Sequence, residues 1–156
     1  VKVMEKVSIN KNLVFRNLDF KSNSEAESFI ADKLFEQGYV KQGYKDALLE
    51  REKQFPTGLP SSAPAIAIPH ANADLVNKTT LAVVTLNKKK KKKNMGAVND
   101  DINVQIIIAL VIAEPHSQVE ILQKVVGIVQ NEKLRQKIME AESNQELINL
   151  LQDVIN

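Results

Sequence analysis

Two apolar runs, Leu81-Ala82-Val83-Val84-Thr85-Leu86 and Val104 to Ala113, constrain this chain more than any other feature. A strand with one face in water alternates apolar and polar residues, whereas a continuous Val/Ile/Leu run of strand length suits a central strand covered on both faces. Covering both faces takes helices, and the remaining sequence supplies helical patterns on either side of the runs. Strand-like and helix-like segments alternate along the chain, which predicts an α/β fold with a central sheet flanked by helices. At 156 residues, with no internal repeat and no linker, residues 1–156 are expected to form a single domain.

Ser24-Glu25-Ala26-Glu27 has the form of a capping box opening a helix with Ala26, Phe29, Ile30 and Leu34 on one side and Gly38 as its stop. A second helix is predicted from Tyr44 to about Lys53, with Ala47 and Leu48 facing inward. The stretch Phe55 to Pro64 carries three prolines and a glycine and reads as a loop. Glu114-Pro115 ends the second apolar run. Ser117-Gln118-Val119-Glu120 is a further capping-box pattern, predicting a helix with Ile121, Leu122, Val125 and Val129 on its apolar face. Asn131 to about Ala141 and Ser143 to Ile155 read as two more helices, the last capped by Ser143 and Glu146.

Composition excludes several functions. The chain has no cysteine, so disulfides, thiolate metal sites and cysteine catalysis are absent from it. No run of apolar residues is long enough to span a bilayer, and the N-terminal residues lack a signal-peptide core, so a cytoplasmic location is expected. The formal charge of +2 rests on six consecutive lysines, Lys88 to Lys93; the other 15 basic residues face 19 acidic ones. Such a run reads as a solvated loop or as an artificial replacement of a variable loop. No aromatic stripe flanks it, and no nucleic-acid partner is expected.

The only two histidines share one local setting. The segment Ala63-Pro64-Ala65-Ile66-Ala67-Ile68-Pro69-His70 ends a short apolar strand at a proline and then a histidine, and Glu114-Pro115-His116 repeats that arrangement. If the two strands are neighbours in one sheet, both rings emerge at the same edge, where helix N-termini and loop amides favour an anion such as a phosphoryl group. The alternative is that each histidine is an ordinary surface loop residue. Two histidines with no carboxylate at ligand spacing are also a weak zinc signal, and no metal is expected.

The segment Arg51-Glu52-Lys53, Phe55-Pro56-Thr57-Gly58-Leu59 and Ala65-Ile66-Ala67-Ile68-Pro69-His70, with Glu114-Pro115-His116 much further on, resembles the enzyme IIA domain of the bacterial sugar phosphotransferase system. It is similar to the fructose–mannitol superfamily, and within it to the galactitol-type subgroup. The resemblance implies a central mixed sheet and a phosphoryl relay without a cofactor. In it His70 accepts phosphate from the phosphocarrier HPr and passes it to a cysteine of a IIB component, which serves a membrane IIC component, for uptake of galactitol or a related sugar. A neutral imidazole nitrogen suits that task near pH 7, its other nitrogen being held by a hydrogen bond, for which a backbone carbonyl is the expected partner. His116 matches the second histidine and would donate to the phosphoryl oxygens. Arg51 matches an upstream arginine that neutralises phosphate, although the proline-rich stretch separates it further from His70 than in the mannitol relatives, so a plain helix-end charge is the alternative. Thr57 and Gly58 would offer a hydroxyl and an amide to the phosphate, or simply form a turn. Glu114 would orient His116 or be a surface acid; Phe55 and Leu59 would line a docking surface or be buried under the loop. The competing function is a regulatory domain of the same fold whose phosphorylation state controls a partner protein.

Overall fold

In the computed structural model the two apolar runs lie side by side as β4 (Thr80–Leu86) and β5 (Val104–Val111), antiparallel, with register from Thr80 opposite Val111 to Thr85 opposite Ile106. The structure describes residues 9–20, 23–54, 58–59, 64–86 and 104–155. β1 (Val14–Leu18) runs parallel to β4, β3 (Ala65–Ala67) parallel to β5, and β2 (Gly58–Leu59) antiparallel to β3. The sheet is therefore mixed, in the order β1-β4-β5-β3-β2, and the two most apolar strands hold inner positions.

Both sheet faces are covered, as the unbroken hydrophobicity of these runs requires. On one side α1 (Asn23–Glu36) and α2 (Tyr44–Gln54) pack against Ala82, Val84, Ile107, Ala109 and Val111. On the other, α3 (Pro115–Val129), α4 (Glu132–Glu140) and α5 (Asn144–Ile155) pack against Leu81, Val83, Ile106, Ile108 and Leu110. Strict alternation would place Val104 with Ile106, yet Val104 belongs to the α1–α2 side. The β3–β5 register slips between Ala65 opposite Val104 and Ile66 opposite Ile106, so Gln105 is the extra residue of a bulge. That extra residue lets both strand ends present apolar side chains to the correct helices.

The helices end and begin as their local chemistry directs. Gly38, at φ +80°, takes a left-handed conformation open to glycine, and α1 closes with Gly38 N–H donating to Phe35 O and Tyr39 N–H to Leu34 O. The helix begins at Asn23, one residue before the expected Ser24. In α5 the Ser143 hydroxyl accepts from the Glu146 N–H at 3.1 Å while the Glu146 carboxylate accepts from the Glu142 N–H at 3.0 Å.

Two expectations are corrected, and one strand was not expected. The helix predicted to open at a Ser117 capping box starts at Pro115, because a proline with its preset φ suits the first helical position and Glu114 caps the turn. The Phe55–Pro64 stretch is not wholly loop: Gly58 and Leu59 pair with Ala67 and Ile66. β1 has no counterpart in the sequence reading, since Val-Phe-Arg-Asn-Leu neither alternates nor stays apolar; Asn17 sits at φ 59° where the register to β4 shifts, its N–H donating to Thr85 Oγ1. The lysine run, Thr57 and Phe55 lie outside the described residues, as does the Leu59 side chain.

Arg135 of α4 is buried, at 1% exposure. Its Nε donates to Pro64 O at 3.0 Å, and Nη1 to Ile128 O at 3.2 Å and to the Val129 carbonyl. One guanidinium thereby adds charged donors to the last carbonyls of α3 and ties them to the residue that enters β3. Arg135→Met, which keeps the length but strips the donors, is expected to destabilise the protein by about 3 kcal/mol through loss of these buried charged hydrogen bonds, read as a lower midpoint in urea unfolding.

Candidate functional site

The β3–β5 pairing continues past β3 itself. Leu110 N–H donates to Pro69 O at 3.0 Å and His70 forms a parallel bridge with Leu110, so the backbone carrying His70 stays fixed to the central strand. The His70 ring is half-buried, and its Nδ1 lies 2.9 Å from the carbonyl oxygen of Ile68, two residues back. A carbonyl only accepts, so Nδ1 carries the proton and the neutral ring presents the Nε2 lone pair. The expected backbone partner is thus Ile68, a residue whose part the sequence did not disclose.

Electrostatics favour the same neutral form. Burial pushes the His70 pKa below the ordinary histidine value, and the positive charge of Arg51 pushes it further down, with the Ile68 hydrogen bond opposing both. Arg51 stands exposed in the last turn of α2, and its field is felt at His70 in spite of the long intervening stretch. A guanidinium there disfavours a bare imidazolium while remaining available to an anion.

His116 sits in the first turn of α3, exposed, just after β5 ends. Because β3 and β5 are parallel, the chain leaves both strands at one end of the sheet, and both histidines stand there. Gln118 strengthens the link, its Nε2 donating to the carbonyl of Ala71 at 3.5 Å, so the start of α3 is tied to the residue following His70. Glu114 accepts from the backbone N–H of His116 at 3.5 Å, and so acts as the helix cap. Gly58 lies on β2, opposite Ala67 and three residues short of His70 along the partner strand. The helix N-terminus, Arg51 and His116 together make this sheet edge hospitable to a negatively charged group. Among the described residues, no group of three or more side chains could hold a metal ion, and no helix is long and apolar enough to cross a membrane.

The sequence profile of the family "Phosphoenolpyruvate-dependent sugar phosphotransferase system, EIIA 2" matches residues 8–154. The chain belongs to that family. It is 32% identical over 121 residues to the galactitol-specific EIIA component of Escherichia coli K12, covering 76% of this chain and 79% of the relative. In structure it is similar to the mannitol IIA of Escherichia coli, with a TM-score of 0.74 at 24% identity over 92% of this chain and 99% of that one. It also resembles a complex of mannitol IIA with phosphorylated mannitol IIB from Escherichia coli, with a TM-score of 0.75 at 25% identity, over 93% and 97% of the two chains. Membership in this family makes the protein a phosphotransferase, a phosphate-relaying component of a sugar transport system, in its galactitol-type branch.

Nitrogen NMR of the histidine rings should find His70 protonated on Nδ1 at pH 7, with a titration midpoint below the ordinary histidine value. Arg51→Met removes one of the two downward influences, so the midpoint should move up toward that ordinary value. A midpoint indifferent to the substitution would place Arg51 out of reach of the ring.

Proposed function

We propose that His70 is the phosphoryl carrier of this EIIA protein, accepting phosphate from phospho-HPr on Nε2 and passing it to a cysteine of a IIB component during uptake of galactitol or a related sugar. The observation that carries this reading is the Nδ1 to Ile68 hydrogen bond, which leaves a single nucleophilic nitrogen at a partly open sheet edge. As the Nε2 lone pair attacks phosphorus, a new P–N bond forms and the bond to the donor breaks. Nδ1 keeps its proton, and the Ile68 carbonyl then stabilises the positive charge that the ring acquires. In the second step the P–N bond breaks as the IIB thiolate sulfur bonds to phosphorus, and His70 returns to its neutral state.

The oxygens of the transferring group gather negative charge that needs fixed partners. Arg51, whose field reaches His70, and the ring of His116 at the start of α3 are suited to supply them, with the backbone of Gly58 and the hydroxyl of Thr57 as further donors. No metal enters this scheme, since positioning and fixed donors suffice for phosphoryl transfer between two nucleophiles. The named mannitol IIA–phosphorylated IIB complex supports a IIB acceptor, and the galactitol-specific relative supports the sugar class. The protein would work in the cytoplasm and reach the membrane IIC component only through IIB.

Incubation with phosphoenolpyruvate, enzyme I and HPr should add the mass of one phosphoryl group, in an acid-labile form. His70→Ala should abolish the gain. His116→Ala should still take up phosphate but pass it to IIB on the order of 10²-fold more slowly, the usual effect of losing one preorganised donor. A His70→Ala protein that still became phosphorylated would refute the assignment. Phosphorylation without onward transfer to any IIB would favour a regulatory domain.

A further inference from the structure

At the end of the sheet opposite the histidines, where β3 and β5 begin, a cavity of about 350 Å³ is lined by Pro64, Gln105, Gln136, Met139 and Glu140. That volume lies within the range of small-molecule sites, roughly 300–1,000 Å³. Two of its polar residues stand where local structure alone would not put them. Gln105 is the one polar residue of β5, an inner strand, and it is the extra residue of the β3–β5 bulge. Glu140 is the last residue of α4, the helix end at which the dipole disfavours a carboxylate. Among the described residues the side chains of Gln105, Gln136 and Glu140 make no hydrogen bond or ion pair, so their donors and acceptors are available to a ligand.

We propose that this cavity binds a small, uncharged polyhydroxylated molecule of about the size of a hexitol. The proposal goes beyond the phosphoryl-carrier reading and does not depend on it. The chemistry of the lining decides the class. Each amide offers two N–H donors and an acceptor oxygen, whereas a carboxylate only accepts. A hydroxyl both donates and accepts, so a row of hydroxyls answers all three side chains at once. A phosphate, acceptor only, would face the Glu140 carboxylate with no cationic side chain in the lining, and the guanidinium of neighbouring Arg135 is engaged by the carbonyls of Pro64, Ile128 and Val129. An ammonium, donor only, would leave the amide N–H groups unanswered. Met139, buried at 6% exposure, and buried Pro64 supply the apolar contact that the C–H groups of a polyol chain require. The two strands that begin at the cavity lead to the two histidines, so the length of the sheet separates this site from the phosphoryl site.

Titration of the protein with galactitol, and with mannitol as a second hexitol, followed by amide NMR, tests the site. The signals of Gln105, Gln136 and Glu140 should shift saturably while those of His70 and His116 stay in place. Glu140→Ala, which removes the charged acceptor, should weaken binding about tenfold, and Gln136→Ala about fivefold. Both residues are exposed, so each variant should keep the unliganded spectrum away from the substitution. No saturable shift with either hexitol, shifts confined to other residues, or unchanged affinity in both variants would each overturn the proposal. A linear alkyl diamine and inorganic phosphate serve as the cationic and anionic probes, and a stronger response at the cavity to either one than to the hexitols would overturn the assigned class. Because the readout is binding alone, its failure leaves the carrier reading intact, and a failure of phosphoryl uptake leaves the cavity's ligand to be judged by the same titration.

Discussion

Parallel pairing of β3 with β5 is the constraint on which the rest of the molecule depends. β5 is an inner strand with apolar side chains toward helices on both faces, so it holds a fixed place, and any strand paired to it inherits that rigidity. β3 has only three residues in regular pairing, yet the ladder continues through Pro69 and His70 to Leu110. A ring on the last rung of a buried sheet is held far more firmly than one on a free loop, and the proposed carrier role, in which His70 would meet two partners in one geometry, would benefit from such firmness.

The same pairing decides what stands beside the ring. Parallel strands leave the sheet at the same end, so the residues after β5 arrive where the residues after β3 do. Pro115 and the Glu114 cap then start α3 at once, which puts His116 in its first turn rather than in a wandering loop. Gln118 fastens that turn to Ala71, and Arg135 fastens the other end of the same helix to Pro64 at the entrance of β3. Both histidine-bearing elements are therefore anchored at two points, through hydrogen bonds to backbone carbonyls that few substitutions elsewhere can disturb.

Opposite faces of the sheet serve different ends. The α3–α5 side supplies the histidine partner and the helix N-terminus. The α1–α2 side carries the positive charge of Arg51, and it keeps the side chains of Glu27 and Glu52 buried. The proposed phosphoryl chemistry at the sheet edge would thus draw on both layers, which the close-packed central strands join.

Much of this was written in local sequence. The strong apolarity of residues 81–86 and 104–113 determined two inner strands, the 3.6-residue patterns determined the helices, and the repeated proline–histidine endings marked the candidate site, because each of these signals depends only on near neighbours along the chain. Strand β1, the short β2 and the bulge at Gln105 left no such mark, since each exists through its partner strand and not through its own residues. The Ile68 carbonyl facing Nδ1, the field of Arg51 across a long intervening stretch, and the tie of Arg135 to Pro64 were decided only by tertiary structure. They depend on distances between segments remote in the chain or on the way a single peptide group turns, and neither is encoded in spacing along a sequence.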